Sequence, residues 1–404
     1  MKPAEAGRPS PDHAPPTTER PPLLTAPFVR IWLSTLAYFI GIGATLPILP
    51  RYVKGPLGGT SFSVGLVVGS FSLTAFFLRP LAGRLGDRRG RRLLTVGGAS
   101  VVALSIAGYT VAASLPPLIG FRLLTGAGEA FFFTGSASAI NDVTPDERRG
   151  ETVSLFSLAL YVGLAVGPLL AEPILGHGGG YHHVWWMAAA ASAVAAALVL
   201  WAPNTGAREE GAERSPGPLV NRAALMPGIV LSSNVWGFSA FVSFVPLYAL
   251  QLGLSGSRYV FLGYALIIIA VRGLGARLPD RLGEARTSRF SIIVSIVGLT
   301  VMATWHAVAG LYAGAVIFAV GQALLFPGLM TLAIRSAPPE ELGSVVGTFT
   351  AFFDLSYGLG AVSLGAVASV FGYRGAFAMG AMIAAVGLAL LLIRQARERS
   401  RTVE

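Results

Sequence analysis

The 404-residue chain contains no cysteine, which excludes disulfides, thiolate metal sites and thiol nucleophiles. Charge is also scarce: 12% of residues are Asp, Glu, Lys or Arg, against about a quarter in a soluble domain. Too little polar surface remains to coat a water-soluble protein. No G-x-x-x-x-G-K-[ST] phosphate loop occurs, so ATP hydrolysis is not a built-in energy source. No cluster of Ser, His and Asp or of metal ligands falls at membrane depth, so an enzyme is not expected, and no cofactor is implied. Residues 1–27 are Pro-rich and polar and lack the charged-then-apolar order of a signal peptide. They read as a disordered cytoplasmic tail.

What is abundant is apolar: 53% of residues are hydrophobic, with 50 Gly and 26 Pro, both frequent in membrane helices. A helix needs about 20 apolar residues to cross the hydrocarbon core. Twelve such runs are found, at 28–50, 62–83, 93–113, 116–140, 152–175, 184–202, 224–250, 259–276, 290–307, 310–334, 343–369 and 375–393. The turns after the third, ninth and eleventh are very short, so those neighbours are antiparallel. The expected fold is an all-α membrane protein.

The net charge of +10 raises the question of nucleic-acid binding, and the placement of the charges answers it. They lie in short turns between apolar runs rather than along one face, which is the pattern of membrane orientation signals. With the N-terminus inside, 22 of the 30 Lys and Arg fall in inside segments and 4 outside, at Arg51, Lys54, Arg258 and Arg374. The other 4, Arg30, Arg79, Arg122 and Arg272, fall within spans. The inside excess predicts cytoplasmic termini in a cell (inner) membrane.

The chain repeats itself at a shift of 193 residues, the distance from Arg79 to Arg272. Arg79, Leu81, Arg84, Leu85, Asp87, Arg88 and Gly90 land on Arg272, Leu274, Arg277, Leu278, Asp280, Arg281 and Gly283. The same shift carries Glu129 onto Gln322, Phe133 onto Phe326 and Gly167 onto Gly360. Two six-helix halves follow, in the same orientation because each has an even number of spans. The expected units are a bundle at 28–202, a polar, Gly/Pro-rich linker at 203–223, a second bundle at 224–393 and a tail at 394–404.

The loop GRLGDRRGRR, Gly83 to Arg92, resembles the signature between helices two and three of the major facilitator superfamily. The matching residues are Gly83, Leu85, Asp87, Arg88, Gly90, Arg91 and Arg92, with an echo at Asp280 and Arg281. Helix four, with Arg122, Gly126 and Gly128, resembles that superfamily's helix-four motif. Gly163, Gly167 and Pro168 resemble the G-x-x-x-G-P core of its antiporter motif in helix five, although Ala171 and Glu172 replace the two closing glycines. The resemblance implies two pseudo-symmetric bundles around a midplane site and transport by alternating access.

Candidate residues follow. In the gating loop, Asp87 is expected to hydrogen-bond or to sit at a helix N-terminus of the opposite half, and Arg88 to pair with Asp142. Intramembrane charges are expensive and normally face a water-filled cavity. Arg122, Glu129, Glu172 and Asp354 are therefore candidates for proton or substrate coupling, and Arg122 and Glu129, seven residues apart, share a helical face. Helix one carries no acid, unlike many drug/proton antiporters of the family. Asn234, Trp236 and Gln322 either line the cavity or pack between helices. His177, His182 and His183 are a polar turn or a metal cluster, and the polar turn is the preferred reading. The expected function is proton-coupled export of small amphipathic molecules by a monomer in the lipid bilayer. Uptake of a polar nutrient by a symporter or facilitator is the alternative, and a non-transporting receptor or scaffold the alternative of another class.

Overall fold

A bilayer offers no water to peptide groups, so a spanning segment must satisfy its own backbone, and helices do this within one segment. The computed structural model describes residues 22–145, 148–176, 180–206, 220–275, 283–338 and 341–401. Among these residues the regular secondary structure is all helix, without a strand. The helices are α1 (Ala26–Lys54), α2 (Ser61–Arg89), α3 (Arg91–Gly108), α4 (Leu115–Asp142), α5 (Arg149–Leu175), α6 (Tyr181–Leu200), α7 (Arg222–Gln251), α8 (Arg258–Gly275), α9 (Glu284–Thr304) and α10 (Val308–Arg335). A last helical stretch, Leu342–Arg401, breaks at Gly372, where φ is 71°. That left-handed conformation suits a residue without Cβ, and it separates α11 (342–371) from α12 (373–401). Nine of the described helical stretches are long and apolar enough to cross a membrane, with α11 and α12 counted as one.

Local chemistry sets several ends. The Thr60 side chain accepts from the Ser63 amide, and the Ser63 hydroxyl accepts in return from the Thr60 amide, a reciprocal cap on α2. The Asn221 side chain accepts from the Ala223 amide, so α7 begins at Arg222, inside the expected linker. The last helix also runs on to Arg401, so residues 394–401 extend α12 where a tail was expected. The gating-loop echo at Asp280 and Arg281 lies outside the described residues, as do His177 and most of the expected N-terminal tail and linker.

Helices α1–α6 pack into one bundle and α7–α12 into another. They meet where α2 lies on α11, α5 on α8 and α1 on α7. One face of the molecule carries the start of α1 and the end of α12, here the terminal face; the other is the distal face. On the distal side the bundles touch backbone to backbone. A Cβ on Gly65 would lie 2.1 Å from the Ala361 carbonyl, and one on Gly69 2.7 Å from that of Gly358. The Phe62 amide donates to the Ser369 hydroxyl at 3.0 Å across the same seam. Nearer the terminal face, a Cβ on Gly83 or Gly347 would meet no described atom within 4 Å. The seam is tight distally and loose terminally.

Within the first bundle, the Gly163, Gly167 and Pro168 motif presses α5 onto α1. A Cβ on Gly163 would sit 2.6 Å from Phe39, and one on Gly167 2.4 Å from the Ala44 amide. Gly126 and Gly128 wedge α4 between α2 and α3 in the same way. Small residues let helices approach where the apolar solvent supplies no hydrophobic drive between them. Gly167→Leu is expected to destabilise the bundle by roughly 1–3 kcal/mol or more through overpacking. Gly97→Leu, whose side chain enters open space, should melt like the wild type in a detergent thermal-shift assay.

Candidate functional site

Arg79 lies ten residues before the end of α2, about 15 Å inside it at 1.5 Å per residue. Pro80 follows it and removes one helical N–H donor. The guanidinium meets two carboxylates. Its Nη2 donates to both oxygens of Glu129 on α4, at 3.2 and 3.1 Å. Its Nε and Nη2 form a fork on Asp354 of α11, with Nη2 3.1 Å from Oδ1. Asp354 belongs to the opposite bundle, 275 residues away in the chain. The Asp354 residue is 3% exposed, and the Arg79 guanidinium also stacks 5.2 Å from the Phe133 ring centroid. The cluster carries two acids for one base and spans the boundary between the bundles.

Arg122 does not reach Glu129, although the two were expected to share a face. It is 6% exposed, and its Nε and Nη2 donate to the Val67 and Val68 carbonyls of α2 at 3.0 and 3.1 Å. It lies 4.7 Å from the Phe71 centroid. Arg122 therefore pins α4 to α2, and Arg79 takes the place beside Glu129.

Glu172 closes the distal face. Its carboxylate accepts from the Ser257 amide (2.7 Å), the Ser257 hydroxyl (3.0 Å) and the Arg258 amide (3.0 Å). These are the first groups of α8, so an acid on α5 caps a helix N-terminus of the other bundle, where the dipole favours negative charge. Glu172, a coupling candidate in the sequence, is thus hydrogen-bonded across the boundary between the bundles.

Aromatic rings fill the space between Glu172 and the ion cluster. Tyr357 lies 5.4 Å from Phe71 across the seam and 5.9 Å from Phe238. Phe238 also faces Tyr264 and Phe353, each at 6.3 Å. The expected cavity residues behave differently. Asn234 is fully buried and donates to its own helix at Val230. Trp236 backs Gly360. Gln322 donates to Ser295 on α9 at 3.4 Å. Phe238, two residues beyond Trp236, is the one in the aromatic belt.

In the loop between α2 and α3, expected to act in gating, Asp87 is bound by Arg91 at 2.6 Å, inside its own bundle. Asp142 pairs with Arg91 at 3.5 Å, not with Arg88, which is exposed. Arg91 stands at the start of α3, one turn beyond Asp87, and so reaches both acids. The loop is docked on residues after α6: the Arg91 amide donates to the Thr205 carbonyl at 2.9 Å, the Arg92 amide to the Asn204 side-chain oxygen at 3.2 Å, and the Arg92 guanidinium to the Ala202 carbonyl at 3.4 Å. A Cβ on Gly90, whose φ is 92°, would collide with Asn204. His182 and His183 are exposed at the start of α6. Among the described residues no three His, Cys, Asp or Glu side chains form a metal-ligating group.

The Major Facilitator Superfamily model matches residues 31–287 and 259–404. The chain belongs to the Major Facilitator Superfamily. An uncharacterized MFS-type transporter of Salmonella typhimurium is 28% identical over 378 residues, covering 91% of this chain and 96% of that protein. The staphylopine export protein of Staphylococcus aureus is 27% identical, covering 92% of this chain and 97% of its own. Among solved structures, the human organic anion transporter MFSD10 superposes with a TM-score of 0.70 at 18% identity, over 92% of this chain and 100% of that one. A bacterial homolog of the human lysosomal transporter Spinster gives 0.71 at 15%, over 93% and 96%. The chain is thus a multi-pass membrane transporter of the major facilitator fold.

Arg79 falls among the charges within spans and is absent from the residues the sequence offers as site candidates. Two signals marked it: a cation inside an apolar run, and a repeat copy at Arg272. The same shift shows an asymmetry between the halves. Glu129 maps onto Gln322, and Asp354 maps back onto Tyr161. The two acids around Arg79 therefore have no acidic counterparts around Arg272.

Removing one member of a buried ion cluster costs about 3–5 kcal/mol by leaving charge unpaired. Arg79→Leu should lower thermal stability sharply, and adding Glu129→Gln with Asp354→Asn should restore most of the loss. In the Glu172→Ala variant, a cysteine introduced at Leu46 should react severalfold faster with a membrane-impermeant maleimide added on the distal side. The native absence of cysteine makes that label clean.

Proposed function

We propose that this chain is a proton-driven exporter of small amphipathic molecules, working by alternating access. The observation that carries the reading is the Arg79 cluster. A guanidinium held by Glu129 and Asp354 joins the two bundles at the depth where a coupling ion must act. With two acids and one base, the cluster has one negative charge in excess. A proton on Asp354 removes the charge that binds Arg79 across the seam, and loss of the proton restores it. Proton binding and bundle separation are then one equilibrium, which is what antiport requires.

The aromatic belt suits an amphipathic body. Export is supported by the Gly163, Gly167 and Pro168 motif on α5 and by the relative described as an export protein. The excess of Lys and Arg on the terminal face supports a cytoplasmic placement of both termini in the inner membrane. Glu172 on the distal face would then keep the outer gate shut until the bundles rock. Asp87, held by Arg91 within its own bundle, is free to change partners when the terminal face closes.

Everted membrane vesicles test the reading. With an acidified lumen, adding substrate should release protons from the lumen in the wild type. Glu129→Gln and Asp354→Asn should insert normally and lose that release at least about tenfold, as expected for loss of a positioned proton carrier. Substrate accumulation that ignores the pH gradient would reject proton antiport. Proton and substrate moving in the same direction would establish uptake by symport instead.

A further inference from the structure

The shift of 193 residues superimposes the Arg79 cluster on a second, electrically different position. Arg272 on α8 sits, like Arg79, at the junction of the bundles. Its guanidinium carbon lies 4.8 Å from the Tyr161 ring on α5, and its Nε donates to the Ala323 carbonyl on α10 at 3.1 Å. Among the described residues no carboxylate lies within 4.0 Å of it. The reason is in the sequence. The positions that hold Glu129 and Asp354 around Arg79 hold Gln322 and Tyr161 around Arg272. Gln322 turns away to Ser295. A backbone carbonyl and a π-face are what remains.

A cation withdrawn from water toward apolar walls without a counter-ion is unfavourable. A guanidinium presents five N–H donors in a rigid fork, suited to two oxygens of one anion. Among the described residues, Nε is the one donor of Arg272 that makes a hydrogen bond to the protein. Tyr161 also borders a small gap between the bundles, lined by Leu164, Phe238, Phe261 and Tyr264, which is apolar throughout. An anionic head at Arg272 would place its carbon body against these rings.

We infer that Arg272 anchors an anionic group of the transported molecule, and that the substrates are small organic anions, carboxylates or phosphates, with an aromatic or apolar body. This assigns a substrate class to the transporter proposed above and rests on that reading only for the direction of movement. The two arginines then divide the work. Arg79, already neutralised twice over, repels anions and exchanges partners with a proton. Arg272, with no carboxylate within 4.0 Å among the described residues, binds the cargo.

The test uses four probes sharing one ring system: 1-naphthoate, 1-naphthyl phosphate, 1-naphthamide and 1-naphthylmethylamine. Binding is measured by calorimetry on the purified full chain in nanodiscs. The wild type should bind at least one of the two anions, and the stronger of them tells carboxylate from phosphate. The amide and the amine should bind at least about tenfold more weakly, the loss of one strong charge-assisted contact. Arg272→Gln should lose the anion by a similar factor, and Arg272→Lys should keep part of the affinity. Tyr161→Asp gives Arg272 the internal acid that Arg79 has, and should abolish anion binding without removing the arginine. It serves as the second variant should Arg272→Gln fail to fold. Equal binding of amide or amine, wild-type anion affinity in Arg272→Gln or Tyr161→Asp, or no binding of any probe would overturn the inference. Anion binding through Arg272 together with inward movement in vesicles would reject export while leaving the substrate class standing.

Discussion

One arginine shared between two carboxylates of opposite bundles is the constraint around which this transporter is arranged. A charge at membrane depth is tolerated only when it is paired or wet. Arg79 meets this condition by drawing Glu129 from its own bundle and Asp354 from the other. Each acid is held by the same cation, so whatever changes the charge of one changes the grip on both. The bundles are thereby joined by a contact that a single proton can weaken, whereas a seam of methyl groups would be indifferent to protons.

The rest of the interface is graded to suit. The Gly65 and Gly69 seam against Gly358 and Ala361 brings the backbones together distally, and Glu172 fastens α5 to the start of α8. The terminal half of the same seam has room around Gly83 and Gly347. Close helix contacts tie each bundle together, through Gly163, Gly167, Gly126 and Gly128 in the first and through Gly298 and Gly314, between α9 and α10, in the second. The loop between α2 and α3 is docked on residues 202–205 of its own half, through Arg91 and Arg92.

The helical fold and its duplicated plan were legible from the apolar runs and from the repeat linking Arg79 to Arg272, because periodicity and duplication are properties of the chain itself. The exact ends were less so: Asn221 capped α7 earlier than the hydropathy suggested, and α12 continued as a helix after its apolar run stopped. Among site residues, Glu129 and Asp354 could be picked out because acids rarely stand in such segments. Their common partner could not, since Asp354 lies 275 residues from Arg79 and no local spacing records that meeting. Glu172 was visible as an acid near the distal end, but its role depends on where α8 begins in the other bundle. Arg122 and Arg79 look alike in sequence; packing alone sends one to carbonyls and the other to carboxylates.

The most direct measurement of the central claim is the distance between spin labels on Gly83→Cys and Gly347→Cys, compared in mildly acidic and mildly alkaline buffer. If a proton competes with Arg79 for Asp354, the wild-type background should shift its distance distribution with pH. Asp354→Asn should show the acidic distribution in both buffers. A distribution that ignores pH in the wild type, or that still follows pH in Asp354→Asn, would contradict the account.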